Sequence, residues 1–256
     1  MDKTLLKGLL VLEAIADQGG ESITIQALAT QLGLTKSNAH RTLQTLAYAG
    51  YAVRDETTGN YRSTLKLFEL GAKQLTRLDV RRFAGPTMRQ LAETAQETIH
   101  LSILDSDTVI YIDKIDSPQP VRAYSVVGGR APAHCVATGK VLLAFQTEDY
   151  LDRHLRELKG STPATITDRA ALRTELAWIA RCGYAVNRGE WRETVGGVAA
   201  PIFDGLGTVV AAIGISGPLE RLGQKRIKVL IPDVLRAGRE ISRALGYRRP
   251  YFGGDE

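Results

Sequence analysis

Near Gly50 the hydrophobic period of this chain changes from helical to strand-like, and the order of elements on either side fits few folds. Upstream, Ile25, Leu28, Ala29 and Leu32 recur at i, i+3, i+4 and i+7, the spacing of one helix face, with Thr24 as a candidate N-cap. Gly33 closes that helix. Thr35 is placed to cap the next one, in which Ala39, Leu43 and Leu46 turn inward until Gly50. An earlier helix over residues 4–18 sets Leu5, Leu9, Leu12 and Ala16 on one face and ends at Gly19-Gly20. Downstream, residues 51–54 and 61–64 read as short strands joined by a polar turn that contains Gly59. Helix, helix, tight turn, helix and hairpin is the order of a winged helix-turn-helix.

In that motif the first helix of the pair braces the second, which lies in the major groove of DNA. The packing needs small residues where the helices meet and a glycine at the turn, and Ala29, Gly33 and Ala39 stand in those places. The outward face then carries Ser37, Asn38, His40, Arg41, Gln44 and Thr45. Asn, Gln and Arg are the side chains that read adenine and guanine edges with two hydrogen bonds at once. Lys36, Ser37 and the amides at the helix start suit phosphates, which position a protein on DNA without reading sequence. On the hairpin, Arg54, Tyr61 and Arg62 are placed to follow the backbone or to enter a minor groove. Residues 36–66 hold five basic side chains against two acidic ones, in a chain of net charge +5. The expected partner is double-stranded operator DNA.

The rest of the chain predicts a linker and a second domain. Residues 65–78 form a helical pattern with Leu67, Leu70 and Leu78 on one side. Domain bounds are therefore expected at 1–65 for the winged helix, 66–78 for the linker helix and 79–256 for the remainder. There, a helix over 86–97 precedes strands at 98–104, 109–115 and 122–127. In the first of these, Ile99, Leu101 and Ile103 alternate with Thr98, His100 and Ser102. Helices follow near 137–145, 147–158 and 168–181, then strands at 184–187, 198–203 and 209–216. The last is apolar enough to be covered on both faces. A terminal helix turns Ile227, Leu230, Val234, Leu235, Ile241 and Leu245 to one side.

Composition narrows the class further. No apolar run approaches the ~18 residues of a membrane span, and the N-terminus reads as an amphipathic helix rather than a signal peptide. Two cysteines, Cys135 and Cys182, give no disulfide framework, so a cytoplasmic protein is expected.

Several stretches resemble the IclR family of prokaryotic transcription regulators. They are LATQLGLTKSNAHRTLQTLAYAGY (28–51), LKLFELGA (65–72), GGRAPAHCVATGKVLLA (128–144), CGYAVNRGEWRETVGGVAAPIFD (182–204) and IGISGP (213–218). The resemblance implies an α+β chain, with a winged helix-turn-helix joined by a linker helix to a GAF-like α/β effector domain built on an antiparallel sheet. It also implies homodimers that pair into homotetramers and act as repressors or activators. A small-molecule effector is implied too, an organic acid or aromatic metabolite. Carried over by motif, its pocket would involve Ala137, Thr138, Gly139, Asn187, Gly197, Gly214 and Ser216. Free amides near Thr138 and Gly139 favour an anion, and Asn187 and Ser216 add hydrogen-bonding groups. Asn187 stands where relatives often carry Asp, and Gly197 where they often carry Cys or Ser. With Ala123 and Ala131 also small, a roomier and more apolar pocket is expected.

Enzyme motifs fail in detail. Gly139-Lys140 lacks the glycine five positions earlier and the following Ser or Thr of a phosphate loop. Gly214–Pro218 has Pro where a nucleophile elbow ends in Gly. His100, His134, Cys135 and Cys182 show no zinc-ligand spacing. No catalytic residue, metal or cofactor is expected.

Overall fold

The computed structural model describes residues 1–75 and 79–252, and the chain divides into two compact units, Met1–Arg77 and Leu78–Glu256. The first unit opens with α1 (Lys3–Ala16), α2 (Ile25–Gln31) and α3 (Lys36–Tyr48). Each helix start is sealed by a side chain. Asp2 accepts from the amides of Thr4 and Leu5, Thr24 from Ala27, and Thr35 from Asn38, satisfying donors that have no partner within the helix. Between α2 and α3 the chain turns through Gly33 at φ +64°, a conformation that a Cβ disfavours. Strands β1 (Ala52–Arg54) and β2 (Tyr61–Ser63) pair antiparallel to form the wing. A single bridge from Ile23 to Tyr61 adds a third line of backbone. Val11, Ile15, Leu28, Leu43, Ala52 and Tyr61 make the core.

Helix α1 differs from its sequence reading in the face it buries. Val11, Ala14 and Ile15 point inward, whereas Leu5 and Leu9, expected there, are exposed together with Leu6 and Leu10. The helix is apolar on most sides, so two stripes compete and the inner one is chosen by packing against α3 and the wing. Helix α4 (Lys66–Leu75) follows the wing. The end of the expected linker helix, Leu78 included, lies outside the described residues, as do residues 253–256.

In the second unit, α5 (Asp79–Ala95) starts seven residues before the proline expected at its N-terminus. Pro86 sits inside the helix, where it removes one hydrogen bond. A buried stripe at Val80, Ala84, Met88, Leu91 and Ala95 carries the helix through it. Six strands follow: β3 (Thr98–Asp105), β4 (Thr108–Ile115), β5 (Arg130–Pro132), β6 (Ala185–Arg188), β7 (Val195–Phe203) and β8 (Val209–Pro218). They form one antiparallel sheet in the order β5-β4-β3-β8-β7-β6.

Alternation along the strands builds a core on each face. Ile99, Leu101, Val198, Ala200, Ile213 and Ile215 meet α5 and α9 (Gln224–Ala244). Ala185, Ala199 and Ala212 face the other way, toward α6 (Ala137–Ala144) and α8 (Arg169–Cys182). These residues are small, so α6 lies close on the sheet. A short helix, α7 (Glu148–His154), packs beside α8.

The strand expected at 122–127 does not form. That segment is irregular, and the third strand is β5, five residues beyond Ser125. Main-chain groups in the segment are held instead by side chains: Lys114 Nζ donates to the Ser125 carbonyl at 2.6 Å and Arg221 Nη2 to that of Val121 at 2.8 Å.

Candidate functional site

The first candidate surface lies on α3 and the wing. With Ala39 and Leu43 fully buried, Lys36, Ser37, Arg41, Gln44 and Thr45 are exposed, and Asn38 and His40 half-buried. Arg41 Nη2 donates to Asn38 Oδ1 at 3.2 Å, which holds two candidate base readers side by side. The Thr45 hydroxyl donates to the Arg41 carbonyl at 3.0 Å, leaving its oxygen free to accept. At the wing tip Asp55 Oδ1 accepts from the amides of Thr57 and Thr58 at 2.9 and 2.8 Å. Those hydrogen bonds from Thr58 and Thr57 hold its carboxyl below the usual range. Arg54 and Arg62 are exposed on the strands behind that turn. Tyr61 is a correction to the sequence reading. Its ring is 2% exposed within the core, and its backbone exchanges hydrogen bonds with Ile23 at 2.8 and 3.0 Å. It supports the wing from inside and presents nothing to DNA.

The second candidate site is a cavity in the sheet domain, at the start of α6. Six of the seven residues expected there line it: Ala137, Thr138, Asn187, Gly197, Gly214 and Ser216. Gly139 does not. It sits where α6 touches the preceding turn, and a Cβ there would fall 2.2 Å from the Ala133 carbonyl oxygen. Gly197 also has no open space, since a Cβ would meet the Ile215 carbonyl oxygen at 2.5 Å. Its small size serves the sheet as well as the cavity. Asn187 spends its carboxamide on the chain, accepting from the Glu190 amide at 2.9 Å and donating to the Val195 carbonyl at 3.5 Å. An aspartate could not make the second of these bonds.

Nor is the cavity roomy. Its free volume is about 40 Å³, space for about three waters. Ala123 lines it, Ala131 does not, and the buried Tyr111 and half-buried Trp191 take part of the expected room, while Tyr124 lines it from a largely exposed position. Sequence reasoning did not place those rings, nor His100, Ser125 and Arg192. For His100 a signal existed, because it stands among the polar residues of the alternating strand β3. Tyr111, Tyr124 and the Trp191–Arg192 turn come together only through tertiary folding.

His100 Nε2 lies 2.7 Å from Ser125 Oγ, and its ring packs 4.6 Å from that of Tyr111. Burial, helped by the Lys114 cation, pushes the imidazole down to about 4. Burial likewise pushes the Tyr111 phenol up to about 12, against the opposing pull of Arg192. Among the described residues of the cavity wall, Arg192 is therefore the one that is charged at neutral pH. An unfolded histidine takes its proton near 6.5, so the folded state gains nothing from protonation until about 4. Stability from this group is full above pH 6.5 and is lost as pH falls toward 4, by about 3 kcal/mol. His100→Gln is expected to flatten the wild-type loss between pH 6.5 and 4 by that amount in urea unfolding. Parallel curves for the two proteins would remove His100 from the account.

The cations and thiols near the cavity have structural partners. Lys140 is 1% exposed, with Nζ 2.8 Å from both carboxylate oxygens of Glu190 and 3.4 Å from Glu175. His134 Nε2 is 3.1 Å from the Lys159 carbonyl, and Cys135 is buried. Among the described residues no three His, Cys, Asp or Glu side chains gather as a metal ion would require, and no helix is long and apolar enough to cross a membrane.

A recognition helix with its wing, followed by a sheet domain with a small cavity, defines a regulator of the one-chain, two-domain type. Comparison with known proteins agrees. Residues 4–56 match the IclR helix-turn-helix domain, and residues 72–243 match the bacterial transcriptional regulator IclR C-terminal domain. The chain is 38% identical to the HTH-type transcriptional regulator KdgR of Escherichia coli, over 95% of this chain and 93% of that one. It is 34% identical to XynR of the same organism, over 94% and 96%. The crystal structure of Thermotoga maritima IclR superposes with a TM-score of 0.81 at 31% identity, covering 96% of this chain and all of that one. An IclR homolog from Microbacterium hydrocarbonoxydans, solved with 4-hydroxybenzoate, gives 0.82 at 27% identity, covering 95% and 99%. The chain belongs to the IclR family of bacterial transcriptional regulators and carries its helix-turn-helix DNA-binding domain.

Proposed function

We propose that this regulator reads operator DNA through Lys36, Ser37, Asn38, His40, Arg41, Gln44 and Thr45 of α3, with Arg54 and Arg62 of the wing on the backbone. A small organic acid in the sheet-domain cavity then changes that binding. The observation that carries the reading is the cavity itself, which brings together residues distant in sequence and, among the described residues, offers one cation and no acidic side chain in its lining. The complex with 4-hydroxybenzoate of the Microbacterium relative supports an acid of that general kind. The protein works in this reading as a non-enzymatic cytoplasmic homo-oligomer, dimers pairing into tetramers. The exposed leucines of α1 (Leu5, Leu6, Leu9 and Leu10) suit contact with a second copy.

Titration on operator and random duplexes over a salt series tests the DNA face. Arg41→Ala is expected to cost about 1–3 kcal/mol on the operator and to relax preference at one base position. Lys36→Ala is expected to weaken both duplexes alike and to lower the salt slope by about one. Equal losses on both duplexes for Arg41→Ala would make Arg41 a phosphate contact. No loss for either variant would move the DNA face off α3.

A further inference from the structure

The enclosed part of the cavity is small, about 40 Å³, so how an organic acid enters depends on which pieces of its lining can move. Most of the lining is regular sheet and helix. Two irregular pieces complete it, Ala123–Ser125 and the Trp191–Arg192 turn, and Tyr124 and Arg192 bring them to the exposed surface. One hydrogen bond joins them, from Arg192 Nη1 to the Tyr124 carbonyl, stretched to 3.4 Å.

Three cations grip the carbonyls of residues 121–125, and they are not equivalent. Arg221, on Val121, is itself paired with the buried carboxylate of Glu97. Lys114, on Ser125, is paired with Asp116 at 2.9 Å. Arg192 has the longest bond of the three and, among the described residues, no carboxylate within ion-pair distance. Its guanidinium rests on the Trp191 ring, 4.6 Å from the centroid, and it alone lines the cavity.

We infer that Arg192 selects the effector's anionic group, and that its transfer from the Tyr124 carbonyl to that group unlatches the mouth of the cavity. The inference rests on the cavity being the effector site. A carboxylate outcompetes a neutral carbonyl for a guanidinium because a charge-assisted, two-pronged hydrogen bond is about twice as strong. When Arg192 lets go, Lys114 and Arg221 still hold the segment at its two ends, so movement is confined to the residues around Tyr124. Also in the lining, the uncharged His100–Ser125 pair, joined at 2.7 Å, leaves the Ser125 hydroxyl with a further hydrogen bond to offer. The ligand class is therefore a small hydroxy- or oxo-carboxylic acid, with its acid end at Arg192 and its neutral oxygen at the Ser125 hydroxyl.

The test uses the full chain, wild type and Arg192→Gln, a substitution on an exposed side chain. Chymotryptic cleavage after Tyr124, whose backbone the latch holds, is compared first without ligand. It is expected to be about fivefold faster in the variant, with cleavage elsewhere in the sheet domain unchanged. Pyruvate, lactate and 4-hydroxybenzoate are then titrated calorimetrically, each beside its primary amide. Wild type is expected to favour at least one acid over its amide by about tenfold or more, and that acid is expected to speed cleavage after Tyr124. Arg192→Gln is expected to lose the preference. Unchanged cleavage in the unliganded variant overturns the latch. An acid preference that survives in Arg192→Gln, or acid and amide bound equally by wild type, overturns the selection. A loosened segment in the variant, with no acid bound by wild type, refutes the effector reading and the inference with it.

Discussion

Lys140→Met is expected to destabilise the sheet domain by about 3–5 kcal/mol. Lys140 reaches from α6 with its ammonium fully out of solvent, and the Glu190 carboxylate beside it is 7% exposed. The pair gains little over an apolar pair of the same volume, because both ions lost their hydration on folding. Removing only the cation leaves Glu190 charged in a closed site, and that is the expensive state. Glu175, 30% exposed, keeps more of its hydration and is stranded less. The double variant Lys140→Met, Glu190→Gln is therefore expected to recover much of the loss. Chemical unfolding of the sheet-domain transition measures both proteins. A single variant within about 1 kcal/mol of wild type would show that water reaches Glu190. The effect has a local address, since the Arg188 amide also donates to Glu190 at 3.3 Å and the Glu190 amide to Asn187. Loss of the ion pair should loosen the turn that carries Trp191 and Arg192.

The second large effect belongs to the first unit. Leu43 is fully buried between α1, α2 and the wing, and Leu43→Ala is expected to cost about 2–5 kcal/mol. A unit of this size has only about 4–11 kcal/mol in total, at the usual stability per residue. The variant is expected to lose operator binding near physiological temperature without touching any exposed side chain of α3. Because each unit has its own core, calorimetry should show the first transition moved down by tens of degrees or lost, with the second in place. Movement of both together would mean that the units unfold as one.

How much of this was legible depended on whether the signal was local. Thr24 and Thr35 cap their helices, and Gly33 turns at positive φ because the residues two or three positions away require it. Those features were read correctly. Alternation in β3 placed Ile99 and Leu101 against His100, and that division is the one between the two faces of the sheet. Failures came where two local answers were equally good or where the partner was remote. In α1, Leu5 and Leu9 compete with Val11 and Ile15 for the inner face, and only the rest of the unit decides. Val121, Val126 and Val127 have the composition of a strand, yet Lys114, Arg192 and Arg221 take the carbonyls that a neighbouring strand would need. The ring of Tyr61 looked like a surface group because its bridging partner is a single residue, Ile23, which has no pattern of its own. Six of the seven cavity positions were found by motif, whereas the rings that join them in the lining were not. Motifs mark where a chain bends, and filling depends on what bends toward it.

The hold on residues 121–125 also governs which substitutions the sheet domain can absorb. Every tie from Arg221, Arg192 and Lys114 ends on a carbonyl, and every residue type supplies one. Tyr124, largely exposed, can therefore be exchanged for other residues while the three attachments persist. A wall built by side-chain interdigitation would need compensating changes for each new shape. One wall of the cavity is thus set by where its main chain is tied rather than by the shape of Tyr124, and its surface can change without a change of fold.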